Sequence, residues 1–169
     1  MPLWLVGMMG SGKSTVGRLL AFRLSLQFLD IDEMVEDRAG RSIADIFTQE
    51  GEPGFRRRES DAIELAAQAP GAVIATGGGA VLSPANVALM TGSGKVVWLR
   101  AEPAVLAQRL GDGRGRPLLV GSQTPAWLAE LLAERLSAFR AVADHVIDTD
   151  QVTAEEVASM VEKLCSASG

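Results

Sequence analysis

Residues 7–14 read Gly-Met-Met-Gly-Ser-Gly-Lys-Ser, a complete G-x-x-x-x-G-K-[ST] pattern placed directly after the apolar run 3–6. Such a segment works in one setting only, a strand that runs into a glycine loop that opens a helix. The glycines let the backbone curl so that successive N–H groups point inward at a β-phosphate. Lys13 then reaches the β- and γ-oxygens and the Ser14 hydroxyl ligates Mg²⁺. Gly10, Ser11, Gly12 and Thr15 complete the expected nucleotide cradle. The residues that follow supply the helix, with Val16, Leu19, Leu20 and Leu24 at helical spacing. The loop therefore predicts a nucleoside triphosphate with Mg²⁺ as ligand, and a parallel α/β sheet to carry it.

The rest of the chain keeps to that plan. Short apolar runs at 3–6, 27–30, 72–75, 95–99 and 146–148 read as five strands separated by helical patterns, which is the signature of a parallel sheet covered on both faces. With 169 residues and 47% hydrophobic content, one domain spanning 1–169 can bury such a sheet. Ser83-Pro84 and Thr124-Pro125 each set a cap before a first-position proline. Thr153-Ala154-Glu155-Glu156 reads as a capping box, with Val152 and Val157 as its staple and Val157, Met160, Val161 and Leu164 as the buried stripe. Two segments break the alternation. Residues 31–60 insert extra short helices, with breaks expected at Gly40, Gly51 and Gly54 and a cap at Ser42 to Asp45. Residues 111–123 carry four glycines and two arginines between helices and read as a mobile lid.

Composition closes other routes. A net charge of −5 leaves no basic face for a nucleic-acid partner. No apolar stretch is long enough to span a membrane, and the strand that begins at residue 3 leaves no room for a signal peptide. One cysteine and one histidine can build neither a disulfide framework nor a zinc site, so a cytoplasmic setting is expected. Without a long exposed apolar helix the chain is expected to be a monomer.

In open parallel sheets ligands bind beyond the carboxyl ends of the strands. Strand one delivers the phosphate loop. Strand two delivers Asp30-Ile31-Asp32, whose alternate spacing can aim two carboxylates at one site, one toward Mg²⁺ and one toward a substrate hydroxyl. Strand three delivers Gly77-Gly78-Gly79, where missing side chains let backbone N–H groups come close to a ligand. Arginines concentrate at 56–58 and again at Arg109, Arg114 and Arg116.

In this order, residues 7–14, Asp30-Ile31-Asp32, Phe55-Arg56 with Glu59, Gly77-Gly78-Gly79, Arg116-Pro117-Leu118-Leu119 and Arg135 make the chain resemble the shikimate kinases over nearly its whole length. The resemblance implies a single-domain P-loop kinase: a central five-stranded parallel sheet flanked by helices, a substrate-binding helical insertion and a mobile lid. It implies transfer of the γ-phosphoryl of ATP to the 3-hydroxyl of shikimate, a step of chorismate and aromatic amino acid biosynthesis. Arg56 and Arg135 would clamp the substrate carboxylate with Glu59 orienting Arg56, and the glycine triplet would donate N–H groups. Asp32 would hold the ring hydroxyls and accept a proton, and Asp30 would act on Mg²⁺ through water. Arg116 would join Lys13 on the transferring phosphoryl group, with Arg109 and Gln151 on the adenine side.

The family's Arg-x-Pro-x-Tyr is Arg135-Leu136-Ser137-Ala138-Phe139 in this chain, which leaves Arg140 as an alternative to Arg135 about a turn along. Two other readings stand beside this one. A kinase of the same architecture acting on a nucleoside monophosphate or on gluconate would use the arginine run differently. A regulatory nucleotide switch would need an N-K-x-D motif, which the chain lacks.

Overall fold

The computed structural model describes residues 1–111 and 124–166. Five strands, β1 (Leu3–Val6), β2 (Phe28–Asp30), β3 (Val73–Ala75), β4 (Lys95–Arg100) and β5 (His145–Asp148), form one sheet in the order β2-β3-β1-β4-β5. Every pairing is parallel. The registers Leu5 with Ala75 and Asp30 with Ala75 bring the carboxyl ends of β1, β2 and β3 level, so the residues just past them converge at one edge.

Strand residues alternate between two cores, as a pleat with period two requires. Trp4 and Val6 join Ile74, Trp98 and Phe139 on one face, whereas Leu3 and Leu5 join Val73, Val97 and Leu99 on the other. The second face is covered by α1 (Lys13–Leu24) and α7 (Ala154–Ser166), which pack together. The first is covered by α3 (Ile43–Ala67), α4 (Pro84–Ser93) and α6 (Pro125–Val142). The remaining helices are α2 (Ile31–Ala39) and α5 (Pro103–Leu110), with a short 3₁₀ turn at Ala80–Leu82.

The expected caps form. Ser83 accepts from Asn86 N and Thr124 from Trp127 N. Thr153 Oγ1 accepts from Glu156 N at 3.2 Å while Glu156 Oε2 accepts from Thr153 N at 2.7 Å, a reciprocal capping box. At the start of α3 the box is half made: Ser42 Oγ accepts from Asp45 N, but the Asp45 carboxylate accepts from the Ser42 hydroxyl rather than from the Ser42 backbone N–H.

Two expectations need correction. Met160 stands 41% exposed, because the face of α7 turned to the core is Val157, Ala158 and Val161. Gly54 is no break. It lies buried inside α3, and the interruption falls at Gly51, whose φ of 68° and ψ of −177° are non-helical, with Pro53 just inside the next turn. The third glycine, Gly40, does end a helix, closing α2 at φ 65°. Residues 112–123 of the expected lid, Arg114 and Arg116 among them, lie outside the described residues.

Candidate active site

The loop between β1 and α1 turns on Gly7, Gly10 and Gly12, at φ of 151°, 80° and 95°. Positive φ is the reason these positions want glycine. Lys13 is buried and its Nζ donates to the carbonyls of Gly7 (3.0 Å) and Met8 (2.9 Å), which holds the ammonium inside the loop. Ser11 is buried, and its Oγ has no hydrogen-bond partner among the described residues.

Asp30, the last residue of β2, links the loop to α2. Its Oδ2 accepts from the Ser14 hydroxyl at 2.6 Å, and its Oδ1 accepts from the Asp32 N–H at 3.1 Å, capping α2. The cap fixes where Asp32 starts its helix. The pair Ser14 and Asp30 is a set of hard oxygen donors beside a phosphate loop. It fits Mg²⁺, which keeps most of its ligands as water and asks the protein for one or two oxygens. Among the described residues no group of three or more His, Cys, Asp or Glu is arranged to hold a metal by itself.

A cavity of about 510 Å³ opens at this edge, lined by residues 9–16, Asp30, Asp32, Thr76 to Gly78, and on the other side by Arg109, Leu110, Thr149, Val152, Ala154 and Val157. Arg109 Nη1 donates to Thr149 Oγ1 at 3.0 Å and Nη2 to the Thr149 carbonyl. Gln151 is exposed next to this wall, which is made instead by its neighbours Thr149 and Val152. Thr149 escaped the sequence reading, although it follows β5 directly and the strand-end rule points to it.

The glycine triplet behaves differently from the phosphate loop. None of Gly77, Gly78 or Gly79 has a positive φ. What excludes a side chain is crowding by charge. A Cβ at Gly77 would sit 2.6 Å from Glu59 Oε1 and 3.3 Å from Asp32 Oδ1, one at Gly78 3.3 Å from Arg135 Nη1, and one at Gly79 2.5 Å from Arg56 Nη2. The triplet thus brings Arg56, Glu59, Asp32 and Arg135 together around a bare stretch of backbone.

The charges there are uneven. Arg56 Nη1 donates to Glu59 Oε2 at 2.8 Å, and its Nε and Nη2 donate to Glu52 Oε1 at 3.2 and 3.1 Å. Burial pulls the Arg56 guanidinium down, but Glu59 and Glu52 outweigh it and leave it above its usual value. Glu59 is 1% exposed. Burial pushes its carboxyl up despite Arg56, and its Oε1 has no hydrogen-bond partner among the described residues. Arg135 is the under-compensated member. Burial first and the Arg56 charge second hold it below its usual value, and its buried Nε finds no partner among the described residues.

Ser137 and Phe139, where the family pattern has Pro and Tyr, leave α6 continuous. Phe139 is fully buried and stacks on Trp98, with ring centroids 5.3 Å apart and planes 10° from parallel. In this register Arg135 meets the triplet and Arg140 is exposed. Glu52 also went unread, though its i, i+4 spacing to Arg56 announces the pair.

The family model for shikimate kinase matches residues 9–165. A shikimate kinase of Symbiobacterium thermophilum is 50% identical over 97% of this chain and 96% of its own length. One of Moorella thermoacetica is 48% identical over 96% of this chain and 93% of its own. Among solved structures, the shikimate kinase of Acinetobacter baumannii in complex with shikimate superposes with a TM-score of 0.93 at 37% identity, covering 99% of this chain and 93% of that one. A family model matched over almost the whole chain and relatives about half identical along their full length leave one assignment for the chain that carries this phosphate loop and these paired arginines: it belongs to the shikimate kinase family.

Proposed function

We propose that the protein transfers the γ-phosphoryl group of ATP to the 3-hydroxyl of shikimate, giving shikimate 3-phosphate and ADP. The observation that carries the reading is the Arg56 and Arg135 pair. Two half-buried guanidinium groups meet at adjacent glycines, and although Glu59 and Glu52 compensate Arg56, Arg135 is held below its usual value by burial and by the Arg56 charge, which an anion between the two would relieve. The unpartnered Nε of Arg135 points to the same need. A planar carboxylate on a small ring suits two planar forks.

The remaining roles follow from position. ATP would lie along residues 10–15, with Lys13 exchanging its bonds to the Gly7 and Met8 carbonyls for the phosphate oxygens. Ser14 and Asp30 would hold Mg²⁺, Asp30 through water, and the ion would neutralise charge on the phosphates. Asp32 would hold the ring hydroxyls and accept the proton of the attacking one, and backbone N–H groups of the triplet would orient the ring. Arg109 would face the adenine, with Gln151 at the margin. Arg116, outside the described residues, would close over the transferring group. We take the enzyme to be monomeric and cytoplasmic. Cys165 is a free thiol, and among the described residues no helix is long and apolar enough to cross a membrane.

The clamp is tested by comparing shikimate with its carboxamide. Wild-type protein should discriminate by about 10² or more, the consequence of replacing a charge-assisted, two-armed contact by a neutral amide beside an under-compensated arginine. In Arg56→Ala and Arg135→Ala the discrimination should shrink, and in Arg140→Ala it should persist. Loss of discrimination in Arg140→Ala alone would move the clamp by a turn and contradict the assignment.

A further inference from the structure

The Glu50 carboxylate takes part in none of the chemistry above, yet three guanidinium contacts converge on it. Arg58 grips it with two parallel bonds, Nε to Oε2 at 3.0 Å and Nη2 to Oε1 at 2.8 Å, and Arg41 Nη2 donates to Oε1 from the segment between α2 and α3. Arg58 first, and the other arginines with it, holds the Glu50 carboxyl below the usual range.

The position of this cluster gives it a meaning. Glu50 is the last residue before the Gly51 kink, and Arg58 lies two turns beyond it. The backbone at the kink is soft, since Gly51 adopts φ 68° and Pro53 has no N–H to give the ladder. Contacts across the bend must therefore set the angle between the two halves of α3. On the core side Phe47 meets Phe55, with centroids 4.8 Å apart. On the outer side the ionic contacts of Glu50 do the same, and Gly54 packs beneath it so closely that a Cβ there would stand 2.3 Å from Glu50 Cβ. The half of α3 past the kink carries Arg56 and Glu59.

We infer that Glu50, gripped by Arg58 and Arg41, is a positioning residue that fixes the bend of α3 and so places Arg56 for the substrate carboxylate. The inference rests on the reading of Arg56 as a carboxylate ligand. Paired charges at a surface contribute little to stability on average, so the effect belongs in substrate binding rather than in folding. A misplaced guanidinium far from the reacting hydroxyl weakens ground state and transition state alike, which raises KM and leaves kcat.

The test uses Glu50→Gln and, as an independent route to the same displacement, Gly54→Ala, each assayed in the full-length enzyme. Both should raise KM for shikimate by about tenfold. KM for ATP and kcat should stay within about twofold, and discrimination against the carboxamide should shrink. Arg58→Lys, which keeps charge but loses the paired bonds, should fall between. A shikimate KM unchanged in Glu50→Gln while Arg56→Ala raises it would overturn the inference and spare the site. Equal effects on the ATP and shikimate constants would overturn it as well. An unchanged shikimate KM in Arg56→Ala would strike the reading of the site itself, and the inference with it.

Discussion

Where no positive φ demands it, glycine answers to two kinds of close contact in this molecule, and substitution separates them. At Gly79 a methyl group meets the tip of the Arg56 side chain, which is flexible, so the arginine yields and the fold does not. Gly79→Ala should keep its melting temperature within a degree or two and lose shikimate binding by tenfold or more, with ATP binding intact. Gly94 is a structural contrast: a Cβ there would stand 2.0 Å from the Pro2 carbonyl oxygen, and backbone cannot step aside cheaply. Gly94→Ala should cost about 1–3 kcal/mol, a fall of several degrees by differential scanning calorimetry, with the kinetic constants unchanged. Lys13→Met should lower kcat by about 10² to 10³ while the protein stays folded, since it removes a charge that matters most as the β- and γ-oxygens gain charge. The sequence made the site residues visible where a motif pairs residue type with spacing, as at Lys13, Ser14, Asp30 and Asp32. It marked the glycine triplet for close approach of a ligand, and what the structure adds there is close approach of side chains. Close approach of side chains from α3 and α6 is a tertiary fact, and no local pattern encodes it.

The strands were legible to within a residue, because five short apolar runs between helical patterns have few alternatives in a parallel sheet, whereas the expected short helices of 31–60 extend in α3 to Ala67. Caps were legible for the same local reason. Breaks were legible at Gly40 and Gly51, but Gly54 was marked as a third, because only the backbone angles distinguish the kink at Gly51 from the close contact at Gly54. Met160 escaped because periodicity gives a stripe but not its width, and α7 packs on α1 along a narrower face. The capping box of α7 carries a pH signature. Glu156 is held below the usual carboxylate range, first by the Thr153 N–H and then by its hydroxyl. A folded-state value below the unfolded one contributes stability above the unfolded range and loses it as pH falls through the lowered value. The melting temperature of Glu156→Gln should therefore lie below wild type at pH 7, and the gap should close on acidification past the ordinary glutamate range. A gap that stays constant across that window would show that the deficit does not come from the charge of the carboxylate.

At the scale of the whole molecule, β1 lies at the centre of the sheet, so the phosphate loop leaves from a fully buried strand, and Asp32 and the glycine triplet follow β2 and β3 on one side of it. The half of the core that backs the acceptor side contains Trp98 stacked on Phe139, one turn past Arg135. This stack stands where the family pattern has a tyrosine. It needs no hydroxyl partner, and it anchors α6 by packing. Phe139→Ala should cost about 3–5 kcal/mol and, by loosening the helix that carries Arg135, weaken shikimate binding more than ATP binding. The central claim is that this site takes a small ring carboxylate as acceptor. Its most direct measurement is ADP release from ATP with Mg²⁺, with shikimate, gluconate or a nucleoside monophosphate offered in turn to the same protein. Rapid release is expected with shikimate and only background hydrolysis with the other two. Release with gluconate or a monophosphate, and background with shikimate, would contradict the claim.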